Sequence, residues 1–230
     1  MKINMNNIMK KILIILFFIS QILFSQEKIT KNLGDFHELK TYRGLNVELI
    51  KSDEAKIVIE GNKSKEVLIK NINGVLKVSL KVPESFSSKE VVITLYYRDK
   101  IDIIDANEGS VITSNEIIKQ DNIEFKSQEA AKIISKVEAS ELTIKVISGG
   151  KVILDGFTEN QTIVSNTGGF YDGENLVANN TKITASSGGT GTVNGTTLVD
   201  ANAKLGSTIT VLGKPDEVII KESFGGYVRN

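Results

Sequence analysis

From about residue 45 onward, apolar and polar positions alternate in short runs. Val47 and Leu49 form one, Ile57 and Ile59 another, then Val67 and Ile69, Leu76, Val78 and Leu80, and Val91, Ile93 and Leu95. A period of two puts the apolar set on one face of an extended strand and the polar set on the other. The runs are rich in Val, Ile and Thr, whose branched side chains suit a pleated surface. No helical period lasts beyond a turn after the first 25 residues, and proline, which interrupts strands, stands only at 83 and 215. The pattern predicts an all-β chain.

A longer period lies over the short one. Ile104-Asp-Ala-Asn-Glu-Gly109, Phe125-Lys-Ser-Gln-Glu-Ala130, Ile144-Lys-Val-Ile-Ser-Gly149, Ile163-Val-Ser-Asn-Thr-Gly168, Ile183-Thr-Ala-Ser-Ser-Gly188 and Ile220-Lys-Glu-Ser-Phe-Gly225 align. Each opens on a large apolar residue and carries Gly or Ala five places on. A weaker member, Val199-Asp-Ala-Asn-Ala, fits between the last two, so the step averages roughly 19 to 20 residues. Leu49 and Ile69 suggest the same step near the N-terminus.

One strand-turn unit per step marks a solenoid. Helical repeats need a helical period, and leucine-rich repeats need regular leucines and an Asn ladder; the sequence offers neither. It predicts a single-chain parallel β-solenoid, or β-helix, each repeat one coil, with Ile104, Phe125, Ile144, Ile163 and Ile183 in an inward row. The Gly-Gly pairs at 149/150, 168/169, 188/189 and 225/226 are expected at one corner, where a positive φ is needed. A phosphate-cradling loop would need a following helix and a lysine. Residues 26–100 form a more charged, hairpin-like section with a loop from Pro83 to Lys89, and 101–230 the regular coils; no Gly/Ser or Pro linker separates them.

Ahead of this domain, Lys10-Lys11 leads into an apolar run from Ile12 to Phe24, then Ser25-Gln26-Glu27. A basic start, about a dozen apolar residues and a small residue before polar sequence has the form of a cleavable signal peptide over residues 1–25, and Met9 offers an alternative start. The run is short for a membrane span, which needs about 20 residues, although a retained anchor is the other reading. No later segment is long and apolar enough to cross a bilayer as a helix, and without cysteine there is no lipid attachment of the lipoprotein kind. The chain is expected outside the cytoplasm: periplasmic, on the cell surface or released.

Charge and composition narrow the chemistry. The 230 residues hold 28 bases and 28 acids. Lys2, Lys10 and Lys11 lie in the leader, so the remainder is slightly acidic, which speaks against a nucleic-acid partner held by clustered Lys and Arg. Cys and Trp are absent and His37 is the one histidine, which removes thiolate chemistry and leaves a His base or His-rich metal site with little to build on. Asp99, Asp102, Asp105 and Glu108 form the densest acid cluster. Two such carboxylates about 5 to 9.5 Å apart could hydrolyse a glycoside, but alternation fits a solvated strand face as well, and sugar platforms of stacked aromatics are missing. Gly188-Gly-Thr-Gly191 lacks the Asp of a calcium repeat. His37 reads as a surface or cap residue. Tyr96-Tyr97-Arg98 could be an exposed patch, although one tyrosine of a strand must face inward. No Gly-x-Ser-x-Gly elbow occurs.

The ordered set Phe36-His-Glu-Leu39, Gly44-Leu-Asn-Val47, Ile57-Val-Ile-Glu-Gly61-Asn62, Asn73-Gly74-Val-Leu76-Lys-Val78, Val211-Leu-Gly213-Lys-Pro215 and Ser223-Phe-Gly225-Gly-Tyr227 resembles the putative auto-transporter adhesin head domain, or GIN domain, over roughly residues 33 to 230. The family's Ser-Gly-Ser-Gly corners stand here as Glu-Gly-Ser, Glu-Ala-Ala and Ser-Gly-Gly. The resemblance implies a secreted or surface β-solenoid of the Bacteroidetes type with an adhesive role. Together with the composition, it points to a non-catalytic module without cofactor or metal, binding an extracellular polymer, matrix or protein. A secreted carbohydrate-active enzyme is the alternative. Outward Thr162, Asn166, Thr181, Thr184 and Thr192 are the expected contact residues.

Overall fold

In the computed structural model, which describes residues 28–81 and 91–230, the period-two pattern becomes a burial pattern of the same period. The expected signal segment and the Pro83–Lys89 loop lie outside the described residues. The strands are β1 (Lys28–Asn32), β2 (Glu38–Thr41), β3 (Asn46–Lys51), β4 (Lys56–Glu60), β5 (Val67–Ile72), β6 (Val75–Leu80), β7 (Val92–Tyr97) and β8 (Ile103–Ala106), with a 3₁₀ turn at Ser64–Glu66. Long strands follow: β9 (Val111–Ser127), β10 (Lys132–Val146), β11 (Lys151–Asn166), β12 (Phe170–Ser186) and β13 (Thr190–Lys204). The shorter β14 (Thr208–Gly213), β15 (Glu217–Ser223) and β16 (Tyr227–Arg229) close the chain. In β10, Ile133, Ser135, Val137 and Ala139 turn inward, two successive residues at Ser140–Glu141 face out, and Leu142, Ile144 and Val146 resume the pattern. Such a slip is a bend between two flat sides of one coil.

From β8 onward every pairing is parallel, each coil bonding to the next. The chain is thus the parallel β-solenoid its sequence predicts. Ile104, Phe125, Ile144, Ile163 and Ile183 stand opposite one another in successive coils, none more than 1% exposed. Leu39 and Leu76 extend the row toward the N-terminus. Each such side chain contributes roughly 1.5–3 kcal/mol by leaving water. Ala201, not Val199, stands opposite Ile183, and Val199 faces Thr181. Both point inward, so reading that repeat two residues early left its inward face right and its register wrong.

The N-terminal section departs from the coil step. Leu49 pairs with Leu95, whereas Ile69 lies on a strand antiparallel to β6, so the 20-residue spacing of Leu49 and Ile69 is not a coil step. Strands β6 and β7 stack in parallel on β2 and β3. Their other edges are taken by β5 and β4, both antiparallel, and β1 adds beyond β4. A pair that follows β2 and β3 in sequence thus forms the layer before them in the stack, and antiparallel strands cap it.

The corner after each coil is a two-residue turn with both residues at positive φ: Glu108-Gly109, Glu129-Ala130, Ser148-Gly149, Thr167-Gly168, Ser187-Gly188, Leu205-Gly206 and Phe224-Gly225. The second residue of one turn donates its N–H to the first residue of the next, as from Gly149 to Thr167 and Gly168 to Ser187 at 3.1 Å, forming a hydrogen-bonded column down the corner. The two glycines of a pair do different work. Gly168 has φ +70° with open space where a Cβ would go, whereas a Cβ on Gly169 would stand 2.3 Å from the Val146 carbonyl oxygen. Gly168→Ala should therefore cost about 1 kcal/mol, the left-handed penalty. Gly169→Ala should cost on the order of 2–3 kcal/mol, because backbone must move. Paired denaturation curves test the ordering; equal losses would contradict it.

Candidate functional site

The four clustered acids do not converge. Asp99 pairs with Arg98 at 3.1 Å. Asp102 lines an open cleft of about 590 Å³ with Asp35, His37, Gly74, Asp99 and Lys100. Glu108 sits in a corner turn with Arg43 at 3.7 Å. Asp105 corrects the expectation of a solvated face: it is 4% exposed, lies 3.4 Å from Lys40 and accepts a bond from Asn107 Nδ2 at 3.0 Å. Burial pushes its carboxyl up, against the pull of Lys40 and Asn107. Lys40, less buried, is raised chiefly by its bond to Glu38 at 2.8 Å. Asp105 is a held structural ion, and the second acid at that point, Glu38, is bound to the same Lys40 ammonium.

His37 is exposed, and its ring takes the space a side chain at Gly74 would need, with Nδ1 2.3 Å from the position of such a Cβ. It packs the cap as the sequence suggests. Arg98 beside it is occupied by Asp35 at 2.6 Å. Among the described residues no group of three or more His, Asp or Glu is arranged to hold a metal ion. Of the tyrosine pair, Tyr97 turns inward at 5% exposure and Tyr96 outward, each beneath a lysine, Lys51 at 5.0 Å and Lys56 at 5.2 Å from the ring centres. Burial, then Glu116, pushes the Tyr97 hydroxyl up.

What the coils do assemble is rows of outward side chains. On the side of the Ile144 row, Thr143, Thr162, Lys182 and Asp200 line up, and two residues further along so do Lys145, Val164, Thr184 and Asn202. Toward the N-terminal end Glu124 gathers Lys145 at 2.8 Å and Lys126 at 3.1 Å. Burial alone would raise its carboxyl, but the two ammonium groups hold it below the usual range. Across the corner, Thr190 faces Thr208 and Thr192 faces Thr210. At a bend, Asn180 Nδ2 bonds Asn160 Oδ1 at 2.9 Å and Asn160 Nδ2 bonds Glu141 at 2.7 Å, a short external amide ladder that the sequence reading missed. On the remaining side Phe157 lies against Val177, beside the Lys119–Glu138 pair.

Four of the five expected contact residues, Thr162, Asn166, Thr184 and Thr192, face outward, and Thr181 does not. It is 3% exposed and accepts a bond from Gln161 Nε2 at 2.9 Å, while Gln161 Oε1 accepts the Tyr171 hydroxyl at 2.9 Å. Parity gives the reason: Thr181 lies two residues before inward Ile183 and must share its face.

The family model described as putative auto-transporter adhesin, head GIN domain matches residues 35–215. Among solved structures, a putative adhesin from Bacteroides fragilis is similar at a TM-score of 0.82 and 18% identity, over 90% of this chain and 97% of that one. One described as a putative lipid binding protein from Parabacteroides distasonis is similar at 0.65 and 14% identity, and a putative adhesin from Parabacteroides merdae at the same values, each over 89% of this chain and 96% of the other. No curated protein matches the chain in sequence. At these identities the structural likeness speaks for the fold alone.

Proposed function

The chain belongs to the putative auto-transporter adhesin head GIN domain family, and we propose that it acts as an exported, non-catalytic binding module whose flat sides hold a repetitive polymer. The observation that supports this most is the parallel register of β10 to β13, which sets Thr143, Thr162, Lys182 and Asp200 in one outward row and Lys145, Val164, Thr184 and Asn202 in the next, successive members about one strand spacing, or roughly 4.8 Å, apart. A surface of that kind offers weak polar contacts at a regular spacing, and such contacts add up only when the ligand repeats as well. Small-molecule sites are concave and enclosed, and the cleft beside His37 is open to solvent. The leader, residues 1–25, supports export, and its removal should give a secreted form that starts within a few residues of Gln26 by mass spectrometry.

Immobilised chain should retain long polysaccharide or matrix polymers from an envelope extract far better than their single units. Thr162→Asp with Thr184→Asp should abolish retention while leaving the melting temperature within a few degrees, because both side chains face out. Equal affinity for the monomeric unit would point to a pocket instead. Polysaccharide turnover lost on Asp102→Ala or Asp105→Ala would establish an enzyme and overturn the reading.

A further inference from the structure

We propose that β15 joins two copies of this chain end to end, antiparallel about a two-fold axis through Ile219. The two ends of the solenoid are built differently. At the N-terminal end the first parallel layer is covered by antiparallel β5, β4 and β1, and Lys28, Lys31 and Lys70 stand along those outer strands. Edge lysines of that kind discourage pairing with another strand. At the other end, among the described residues, β15 pairs with β13 alone and β16 with β14 alone, so each leaves one edge without a partner strand there. Ile220 stands opposite Ala201, at the end of the Ile144 row that is sealed in every earlier coil, yet it is 45% exposed. Ile219, Phe224 and Tyr227 are exposed at the same end. Terminal repeats of a solenoid ordinarily carry a polar outer face, and among the described residues nothing covers the apolar strand β15 at this end.

The sequence of β15, Glu-Val-Ile-Ile-Lys-Glu-Ser, matches its own reverse in one register. With Ile219 over Ile219 of a second copy, each Glu217 stands opposite Lys221 of the other copy and each Val218 opposite Ile220. Opposite charges and apolar pairs facing across antiparallel strands both stabilise the pairing. Neighbouring registers lose this: centring on Ile220 sets Ile219 against Lys221 and Val218 against Glu222, and centring on Lys221 sets lysine on lysine. In the favoured register Glu222 would oppose Asp216, but its carboxylate is turned back to accept the Val228 N–H at 2.6 Å within its own coil. The same register carries Phe224 toward Lys214 and Pro215 of the second copy. Antiparallel self-pairing gives a closed isologous dimer, not a fibre.

The proposal is independent of what the sides of the coils bind, and mass in solution tests it. The secreted chain should sediment as a dimer that dissociates on dilution. Glu217→Lys alone and Lys221→Glu alone should each be monomeric, since each sets like charges across the axis, Glu217→Lys melting near the parent and Lys221→Glu slightly lower because it also loses the 3.2 Å contact with Asp200 of its own chain. A one-to-one mixture of these two variants should recover the dimer, because each then supplies the charge the other lacks. The natural chain has no cysteine, so Ile219→Cys should also cross-link under mild oxidation far faster than Ile117→Cys, placed on an exposed side of the stack. A chain monomeric at every concentration would overturn the proposal, as would single variants that remain dimeric or a mixture that stays monomeric.

Discussion

Ile144→Asp is expected to lower stability by about 5 kcal/mol or more, enough to unfold the coils around it. The side chain is 0% exposed and stacked between Phe125 and Ile163, so the exchange removes a full Ile burial worth about 2–3 kcal/mol. It also places a carboxyl where only apolar neighbours stand in its row, a further cost of several kcal/mol. A domain of this size is stable by roughly 5–15 kcal/mol in all. In a solenoid each coil touches only its neighbours, so loss of one coil severs the stack rather than denting it. Thr162→Asp, in the next coil on the outward face between Thr143 and Lys182, should change stability by no more than about 0.5 kcal/mol. Denaturant titrations of the two variants give the contrast, and an Ile144→Asp chain that melts with its parent would refute the inward row.

That row was legible in the sequence because it depends on two periods, alternation within a strand and a step of about 20 residues between strands, and both are printed in residue type. The corner column was legible through its glycines, although Glu129-Ala130 shows that the left-handed turn is kept where glycine is absent, its cost carried by the neighbouring coils. The capping arrangement was not legible. Leu49 and Ile69 share a spacing and an alternation with the true repeats, and only strand direction separates β3 from β5. Direction depends on long-range pairing and leaves no mark on residue type. Among the contact residues parity decides: Thr181 lies two residues before inward Ile183, so it shares that face although its type suits solvent. At Asp105 parity alone misleads. Its parity is outward, but Lys40, brought in from a strand far away in sequence, and the near neighbour Asn107 close over it.

Tyr171 carries the second large expected effect. Its side chain is wholly buried, and the chain makes room for it with glycines: a Cβ on Gly173 would lie 2.5 Å from the Tyr171 hydroxyl oxygen. Tyr171→Ala should cost about 4–5 kcal/mol, the loss of a core aromatic together with the cavity it leaves. Tyr171→Phe keeps the ring and removes only the donor to Gln161 Oε1, so about 1–3 kcal/mol should be lost to an unsatisfied buried amide. Adding Gln161→Leu should then cost less than it does in the parent, since the orphaned group goes with it, and the double-mutant cycle reads that coupling directly. Alkali provides an independent check. Burial pushes the Tyr171 hydroxyl far above its ordinary value, so the folded chain holds this proton through the range, near pH 10, in which the unfolded chain releases it. Unfolding releases a proton there, and stability that is complete below about pH 10 should fall as pH rises beyond it. Tyr171→Phe should flatten that decline, leaving the smaller shares owed to Tyr97, Tyr42 and Lys40, which folding also raises. An alkaline slope unchanged by Tyr171→Phe would show that the hydroxyl ionises in the folded chain and that the inner network is not closed to water.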